Sequence, residues 1–341
     1  MKRTVLTIVG LLGALLLSIG ASVAIGSAHI GISETYRAVL VGITGSPHVL
    51  PPVIYDIVWE LRMPRIILAA IVGGGLSIIG VAMQTLVHNP LAEPYILGVS
   101  SGASAGASLF YLGFLPPVIS RTLTMPVAAF LGALLAITLV YVIARKGPVL
   151  STARLLLAGV ALSALLAAIT TFVTFASPEP QKMRAVLFWL LGSFSGTHWS
   201  TVVPPALVTF PGLLLLTAAA RPMDAFLLGE GSARSLGISV EALKRVLIVL
   251  AALVTGVLVA ASGVIGFVGL IIPHAVRLVS GVSHRRLIPF SFLVGAIFMI
   301  WADLAARTVL PAQELPVGVL TAICGVPFFL ILLRRDTYSF S

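Results

Sequence analysis

The sequence predicts an all-α polytopic membrane protein, and three observations carry that prediction. Charged residues are only 9% of the 341 while apolar residues are 59%. Apolar runs of spanning length recur along the whole chain, and the basic residues collect in short clusters between them. A soluble domain carries about 25% charged residues, because its surface faces water. No stretch here is polar enough to form one, so residues 1–341 read as a single transmembrane domain whose second solvent is the bilayer.

The first run, Thr4 to Ala28, follows Lys2-Arg3 and holds 25 residues without a charge. Signal-peptide cores are about 7–15 residues, so this run reads as a retained first helix over 5–28 that is long enough to span. Nine further segments follow: Ile66–Val87, Tyr95–Leu115, Met125–Ala144, Leu155–Phe175, Val202–Ala220, Val246–Ser262, Ile265–Val279, Ile288–Leu304 and Leu315–Leu333. That makes about ten transmembrane helices. The eighth is short and crowded by Gly263, Gly266, Gly269 and Pro273. A broken helix at membrane depth is tolerated only where protein or a water-filled cavity covers its freed backbone groups, so the eighth segment is expected to line something. Gly73-Gly74-Gly75, Gly80, Gly98, Gly102, Ala103 and Gly106 are the small residues that let helices approach closely in lipid.

Charge sets the orientation. With ten spans, one side holds both termini and the loops near 88, 146, 221–245 and 285. Fourteen of the 21 Lys and Arg residues fall on that side, among them Arg145-Lys146, Lys244-Arg245, Arg285-Arg286 and Arg334-Arg335. The positive-inside rule then places both termini in the cytoplasm. It also accounts for the net charge of +10 without nucleic acid. The single cysteine, Cys324, lies in an apolar run and reads as a small buried hydrophobe. A weak internal similarity relates Arg65, Gly75 and Asn89-Pro90-Leu91 to Arg245, Gly256 and Ile272-Pro273-His274. It divides the chain into a first repeat at about 62–175 and a second at about 243–333, of opposite topology, as transporters commonly have.

Catalysis needs placed acids, bases or nucleophiles, and the sequence supplies none; no catalytic residue and no metal set is expected. The six histidines are scattered and no HExxH occurs. Without a GxxxxGK[ST] the chain carries no P-loop of its own. Intramembrane acids mark ion coupling, and the one candidate is Asp303, with Arg307 four residues on and on the same helix face, a local ion pair. That scarcity weighs against an ion-coupled secondary transporter.

Two polar regions remain. Arg221 to Arg245 is the most polar interior stretch; Pro222-Met223-Asp224 opens a short helix, Gly229-Glu230-Gly231 breaks it, and Ser232–Leu236 forms a second that Gly237 ends. Exposed Leu227, Leu228 and Leu236 beside alternating charge suit a protein dock, with a solvated amphipathic loop as the plainer reading. Arg62-Met63-Pro64-Arg65 and Arg307 lie on the outer side, against the charge bias. They suit carboxylates of a partner, or else snorkelling at the interface.

These stretches resemble the FecCD-type permeases of bacterial ABC importers for ferric siderophores, haem and vitamin B12. The match runs through Arg62-Met-Pro-Arg65, Gly80-Val-Ala-Met-Gln84, HNPLAEPYILGVSSGASAGA from His88 to Ala107, STARLLLAGVALS from Ser151 to Ser163 and FWLLGS from Phe188 to Ser193. It continues through LGEGSARSLGI from Leu228, GVIGFVGLIIPHAVRL from Gly263 and ELPVGVLTAICGVPFF from Glu314.

The resemblance implies an inner-membrane permease that moves a bulky iron chelate, ferric siderophore or haem, from periplasm to cytoplasm, with cobalamin as the alternative cargo. Arg62, Arg65 and Arg307 would receive glutamates of a periplasmic substrate-binding protein. Arg221, Asp224, Leu227, Leu228, Gly229, Glu230, Ala233, Arg234, Leu236 and Gly237 would seat an ATPase subunit about the loop 221–237. Asn89, Leu91, Thr152 and Ala153 would narrow the cytoplasmic exit; the vitamin B12 permease has Thr-Ser where Thr152-Ala153 stand, which weakens a hydroxyl-dependent gate. The chain would bind no cofactor, with ATP and Mg on two ATPase partners. It would be a homodimer with the pathway on its two-fold axis, lined by the fifth and tenth segments and parts of the third and eighth. Weak contacts suit conduction of a large cargo. His29, His48 and His198 are outer histidines that could touch haem iron.

Overall fold

The computed structural model describes residues 2–26, 30–45, 50–147, 149–310 and 313–333. Helix α1 (Lys2–Ala24) is followed by α2 (Ile32–Thr44), α3 (Pro52–Tyr55) and a π-helical stretch, Asp56–Arg62, that runs without a break into α4 (Met63–Val87). A 3-10 turn, Pro94–Leu97, leads into α5 (Val99–Tyr111), and α6 (Pro117–Ser120) leads into α7 (Met125–Ala144). Arg145–Lys146 pairs antiparallel with Val149–Leu150 and turns the chain into α8 (Thr152–Phe175). Then come α9 (Pro180–Leu190), α10 (Trp199–Ala218), α11 (Ala220–Leu227), α12 (Glu230–Ser235), α13 (Val240–Ser262), α14 (Val268–Ser280), α15 (His284–Thr308) and α16 (Val317–Leu333).

Seven of these helices are long and apolar enough to cross a membrane, and α14 and α16 are shorter apolar helices. Each of the ten predicted segments coincides with a helix: α1, α4, α5, α7, α8, α10 and α13 to α16. The ends differ for local reasons. Helix α13 begins at Val240 rather than Val246, because Glu241, Lys244 and Arg245 are polar but helical. Helix α15 begins at His284 and carries Pro289 inside its second turn. Helix α5 is shorter than expected, since Gly98 at φ +77° breaks the chain before it. Helices α2 and α9 were not expected, being too short to span.

The bundle is organised around α4, which is enclosed by α10, α13, α14 and α15. From Leu68 to Leu86 almost every residue of it is buried, and 89% of its most apolar window lies inside the protein. The glycines explain how. A methyl group on Gly73 would overlap the carbonyl of Gly295 in α15, and one on Gly80 would overlap the carbonyl of Gly269 in α14. Only a hydrogen lets these backbones touch, which is how helices associate in lipid. Gly102 and Gly106 of α5 meet Gly132 and Ala128 of α7 in the same way.

One expectation is overturned. Cys324 is exposed, not buried, on the stretch of α16 that also leaves Ile323 and Val326 exposed among the described residues.

Candidate functional site

One face of the bundle carries the three arginines, and the structure ties all three to partners within the chain. The π-helical stretch and the first turn of α4 place Arg62 and Arg65 beside the end of α15. Arg65 is shared between two carboxylates. Its Nε and Nη2 donate to Asp303 at 2.8–3.1 Å, and its Nη1 donates to both oxygens of Glu314 at 3.0 and 2.9 Å. Asp303 is 1% exposed, whereas Glu314 is 41% exposed. Arg307 donates through Nη2 to the Ser22 carbonyl and hydroxyl, both at 2.6 Å. Its Nε lies 3.5 Å from Asp303 Oδ2, an ion-pair distance without a hydrogen bond. Arg62 is buried and donates to the Val23 carbonyl at 2.7 Å. The expected Asp303–Arg307 pair is therefore present but secondary, because the bidentate partner of Asp303 is Arg65, 238 residues away in sequence. Fork geometry against a carboxylate favours the planar guanidinium.

Between the faces lies the break before α14. Residues 263–267 leave helical geometry, with Gly263 and Phe267 both at φ +68°. Their backbone groups are covered by protein. Tyr95 Oη donates to the Ile265 carbonyl at 2.8 Å, and the Phe267 N–H donates to Glu93 Oε1 at 2.6 Å. The Ser193 N–H donates to the Ser262 carbonyl and the Val317 N–H to the Gly192 carbonyl. This meets the demand that irregular backbone at membrane depth be satisfied by protein. Glu93 is a partly buried acid that the sequence reading did not single out, because it stands in a loop motif. The break opens onto a cleft of about 680 Å³, lined by Leu190, Leu191, Val264, Gly266, Phe267 and, from α16, Gly318, Val319, Ala322, Ile323, Val326 and Pro327. No charged side chain lines it. The fifth segment, α8, contributes nothing to this cleft, but exposes Leu157, Val160, Leu165, Phe172 and Phe175.

The opposite face carries α11 and α12. The break between them falls at Leu228-Gly229, and Gly237 at φ +80° ends the second, as the glycine spacing predicts. Leu228 and Leu236 are 70% and 65% exposed, and Arg221 and Arg234 are exposed beside them. Leu227 was expected to be exposed too, but it is half-buried; Ala233, with Met223 and Phe226, packs inward.

Polar contacts through the buried His284 and Lys244, and through His88, fix these two helices to the bundle. Asp224 Oδ1 accepts from the backbone N–H of His284 at 2.9 Å and from its ring Nδ1 at 2.6 Å. It thereby serves the first N–H of α15, where a negative charge is favoured. The other ring nitrogen of His284 meets Thr85 Oγ1 at 2.7 Å. Partial burial pushes the Asp224 carboxyl up, but the hydrogen bonds and charge of His284 outweigh it and hold the group below its ordinary value. His88, at the end of α4 with φ +52°, donates from Nε2 to the Phe226 carbonyl at 2.9 Å and packs its ring against that phenyl group. Glu230 of α12 accepts from Lys244 Nζ at 2.6 Å, and Lys244, 2% exposed, also donates to the Leu150 carbonyl at 3.1 Å. The Leu150 N–H donates to Glu241 at 3.2 Å.

Both candidate gate loops therefore leave from residues that α11 and α12 hold. Asn89 follows His88; it is exposed, and its Oδ1 accepts from the Leu91 N–H at 2.8 Å, an Asx turn that presents a half-buried Leu91. Thr152 and Ala153 follow Leu150 and the N-cap Ser151, whose hydroxyl accepts from the Arg154 N–H. Sequence reading missed His88, His284 and Lys244. Two were dismissed as scattered histidines and one as a basic cluster, and only their polarity beside apolar runs could have flagged them. His198 is exposed, while His29 and His48 lie outside the described residues.

Comparison with known proteins agrees with this arrangement. The model of the FecCD transport family matches residues 14–335. A cobalamin import system permease protein of Halobacterium salinarum is 45% identical over 285 residues, 84% of this chain and 75% of that protein. A hemin transport system permease protein of Yersinia pestis is 38% identical over 316 residues, 92% of each. The solved structure of an inward-facing ABC transporter assigned to the metal-chelate type matches with a TM-score of 0.82 and 30% identity, over 96% of this chain and 98% of that one.

Proposed function

We propose a cargo and a working arrangement from one premise: this chain belongs to the FecCD transport family, the membrane-spanning permeases of ATP-binding-cassette importers, whose ATPase is a separate subunit. The cargo is a bulky metal chelate carried from periplasm to cytoplasm across the inner membrane. The iron-chelate reading, ferric siderophore or haem, and the cobalamin reading stand level, since similar relatives bear both the hemin and the cobalamin name. The observation that carries the proposal is the uncharged cleft at the break before α14. A large, partly polar chelate would stick in a tight polar filter, and passage requires weak sites.

In this arrangement both termini are cytoplasmic and the arginine face is periplasmic. Two copies meet about the exposed faces of α8 and α16, with the pathway between them. A binding protein docks on the face of Arg62, Arg65 and Arg307. Of these, Arg65 shares its outer nitrogen with the half-exposed Glu314, so a partner carboxylate reaches it by replacing Glu314. Two ATPase subunits, which carry ATP and Mg, seat on Arg221–Gly237, led by the exposed Leu228 and Leu236. The loops with Asn89, Leu91, Thr152 and Ala153 close the cytoplasmic exit; this chain binds no cofactor itself. An ion-coupled transporter is disfavoured because the acids Asp303 and Glu93 are both engaged within the fold, Asp303 by Arg65 and Glu93 by the Phe267 N–H.

Uptake into proteoliposomes holding the permease, its ATPase and its binding protein tests this, with haem, a ferric siderophore and cobalamin offered in competition. ATP-dependent uptake of one of them is expected. Uptake driven by an ion gradient without the ATPase would refute the importer reading.

A further inference from the structure

The contacts at the α11–α12 face are chain-wide in reach and few in number. Thr85 lies in the last turn of α4, and His88 caps that helix in left-handed geometry at φ +52°. Thr85 meets α11 through His284 and Asp224; His88 meets α11 directly at Phe226. On the other side Lys244 bridges Glu230 of α12 to the Leu150 carbonyl. An ionised carboxylate only accepts hydrogen bonds, so His284 Nδ1 carries a proton toward Asp224. Thr85 Oγ1 also lies 2.8 Å from the Val81 carbonyl. It can either accept from Nε2–H and donate to Val81, or donate to a bare Nε2, so the link holds in both protonation states. His284 and Lys244 are 1% and 2% exposed; truncating either takes a hydrogen-bond partner from a buried residue, Thr85 or Leu150, while Asp224 and Glu230 keep contact with solvent.

We propose that His88, His284 and Lys244 are positioning residues that lock α11 and α12 to the loops at 88–91 and 150–153, so that the two helices and both loops shift as one body. The proposal rests on α11–α12 being the ATPase seat. Its consequence is specific: displacement of the seat reaches the loops through three hydrogen-bonded side chains rather than through the apolar bundle. Coupling requires a two-state element that both sites bias, and this clamped unit is that element. His88 and His284 serve the first loop and Lys244 the second, so the two connections break separately.

The test uses the assembled importer in lipid, unlabelled for transport and, for distances alone, with Cys324 replaced by alanine and spin labels at Ser232 and Asn89. Two quantities are read: cargo moved per ATP hydrolysed, and the change in label distance on ATP binding. In the parent protein the distance stays constant on ATP binding. His284→Ala and His88→Leu are expected to lower cargo per ATP about tenfold, with the ATPase still bound, and to let the label distance change. His88→Gln keeps an N–H donor and is expected to retain coupling within about twofold, a rescue that loss of packing alone does not predict. Lys244→Met is expected to uncouple transport while leaving the Ser232–Asn89 distance constant. Should His284→Ala fail to accumulate, Thr85→Val, which keeps shape and removes the hydroxyl that His284 meets, decides the same question. Normal cargo per ATP with a constant distance in the histidine variants overturns the proposal. Failure of the seat reading is separate: Leu228→Asp would then leave the ATPase bound and transport intact, and the clamp as stated falls with it. If Leu228→Asp detaches the ATPase while the histidine and lysine variants transport normally, the seat stands and the clamp alone is refuted.

Discussion

The two faces of the bundle handle charge in opposite ways. On the arginine face, Arg62, Arg65 and Arg307 turn inward, and the buried Asp303 holds two of them together across α4 and α15. Glu314 stands partly in solvent. On the α11–α12 face the pairings hold short helices in place, while Leu228 and Leu236 remain bare. The first face is self-satisfied and becomes available to a partner by exchange of one carboxylate. The second has apolar surface that no described residue covers. Recognition by exchange and recognition by burial respond differently to mutation, and that difference can be measured.

The largest effect is expected from Asp303→Asn, which leaves Arg65 and Arg307 without their shared charge. Removing one partner of a buried pair costs about 3–5 kcal/mol, so thermal unfolding in detergent should shift strongly downward and membrane accumulation should fall. Reversing Arg65 to Glu would disrupt this network as well as docking, so it tests the fold before it tests the partner. Next, Leu228→Asp should reduce ATP-driven uptake at least tenfold while stability changes by about 0.5 kcal/mol or less, as at exposed sites generally; equal losses in both would erase the contrast between the faces.

A smaller effect is expected from Glu314→Gln. It removes the charge that holds the outer nitrogen of Arg65 and should tighten binding-protein docking several-fold, in line with about 1 kcal/mol for a partly exposed ion pair; titration of the binding protein against the reconstituted permease reads this directly. The smallest concerns pH. The Asp224 carboxyl sits below its ordinary value in the folded chain. Its stabilising contribution is full above the ordinary carboxylate range and is lost as pH falls through the lowered folded value. The stability gap between the parent and Asp224→Asn should therefore be constant near neutral pH and close in acid.

Much of the fold was legible because bilayer physics writes locally. Spanning runs, glycine-rich contact faces and the breaks at Gly229 and Gly237 each depend on residues near in sequence. What escaped depended on distant partners. Nothing in the run around Asp303 points to Arg65, and nothing local joins His284 to Asp224 or Lys244 to Leu150. Glu93 sits in a motif that reads as a loop, yet the donor it serves is the strained backbone N–H of Phe267 in the other half of the chain. Leu227 lies between exposed and buried neighbours on a helix too short for periodicity to resolve. Cys324 was misread because an apolar run says a residue avoids water, not whether protein, lipid or a cargo pathway covers it.

The enclosure of α4 also constrains biogenesis. Its composition suits lipid, with a mean hydropathy of 2.4 over its most apolar window, yet in the finished protein it touches little lipid. Its wrapping partner α15 ends at Thr308, 221 residues after Val87. At about 5–20 residues per second the ribosome needs roughly 10–45 s to make that interval. Through that time α4 must rest in the bilayer with its glycine faces uncovered, open to mispairing with small-residue faces of other spans. Chain order thus makes α4 an early, waiting span, and defects in helices synthesised much later should surface as its degradation.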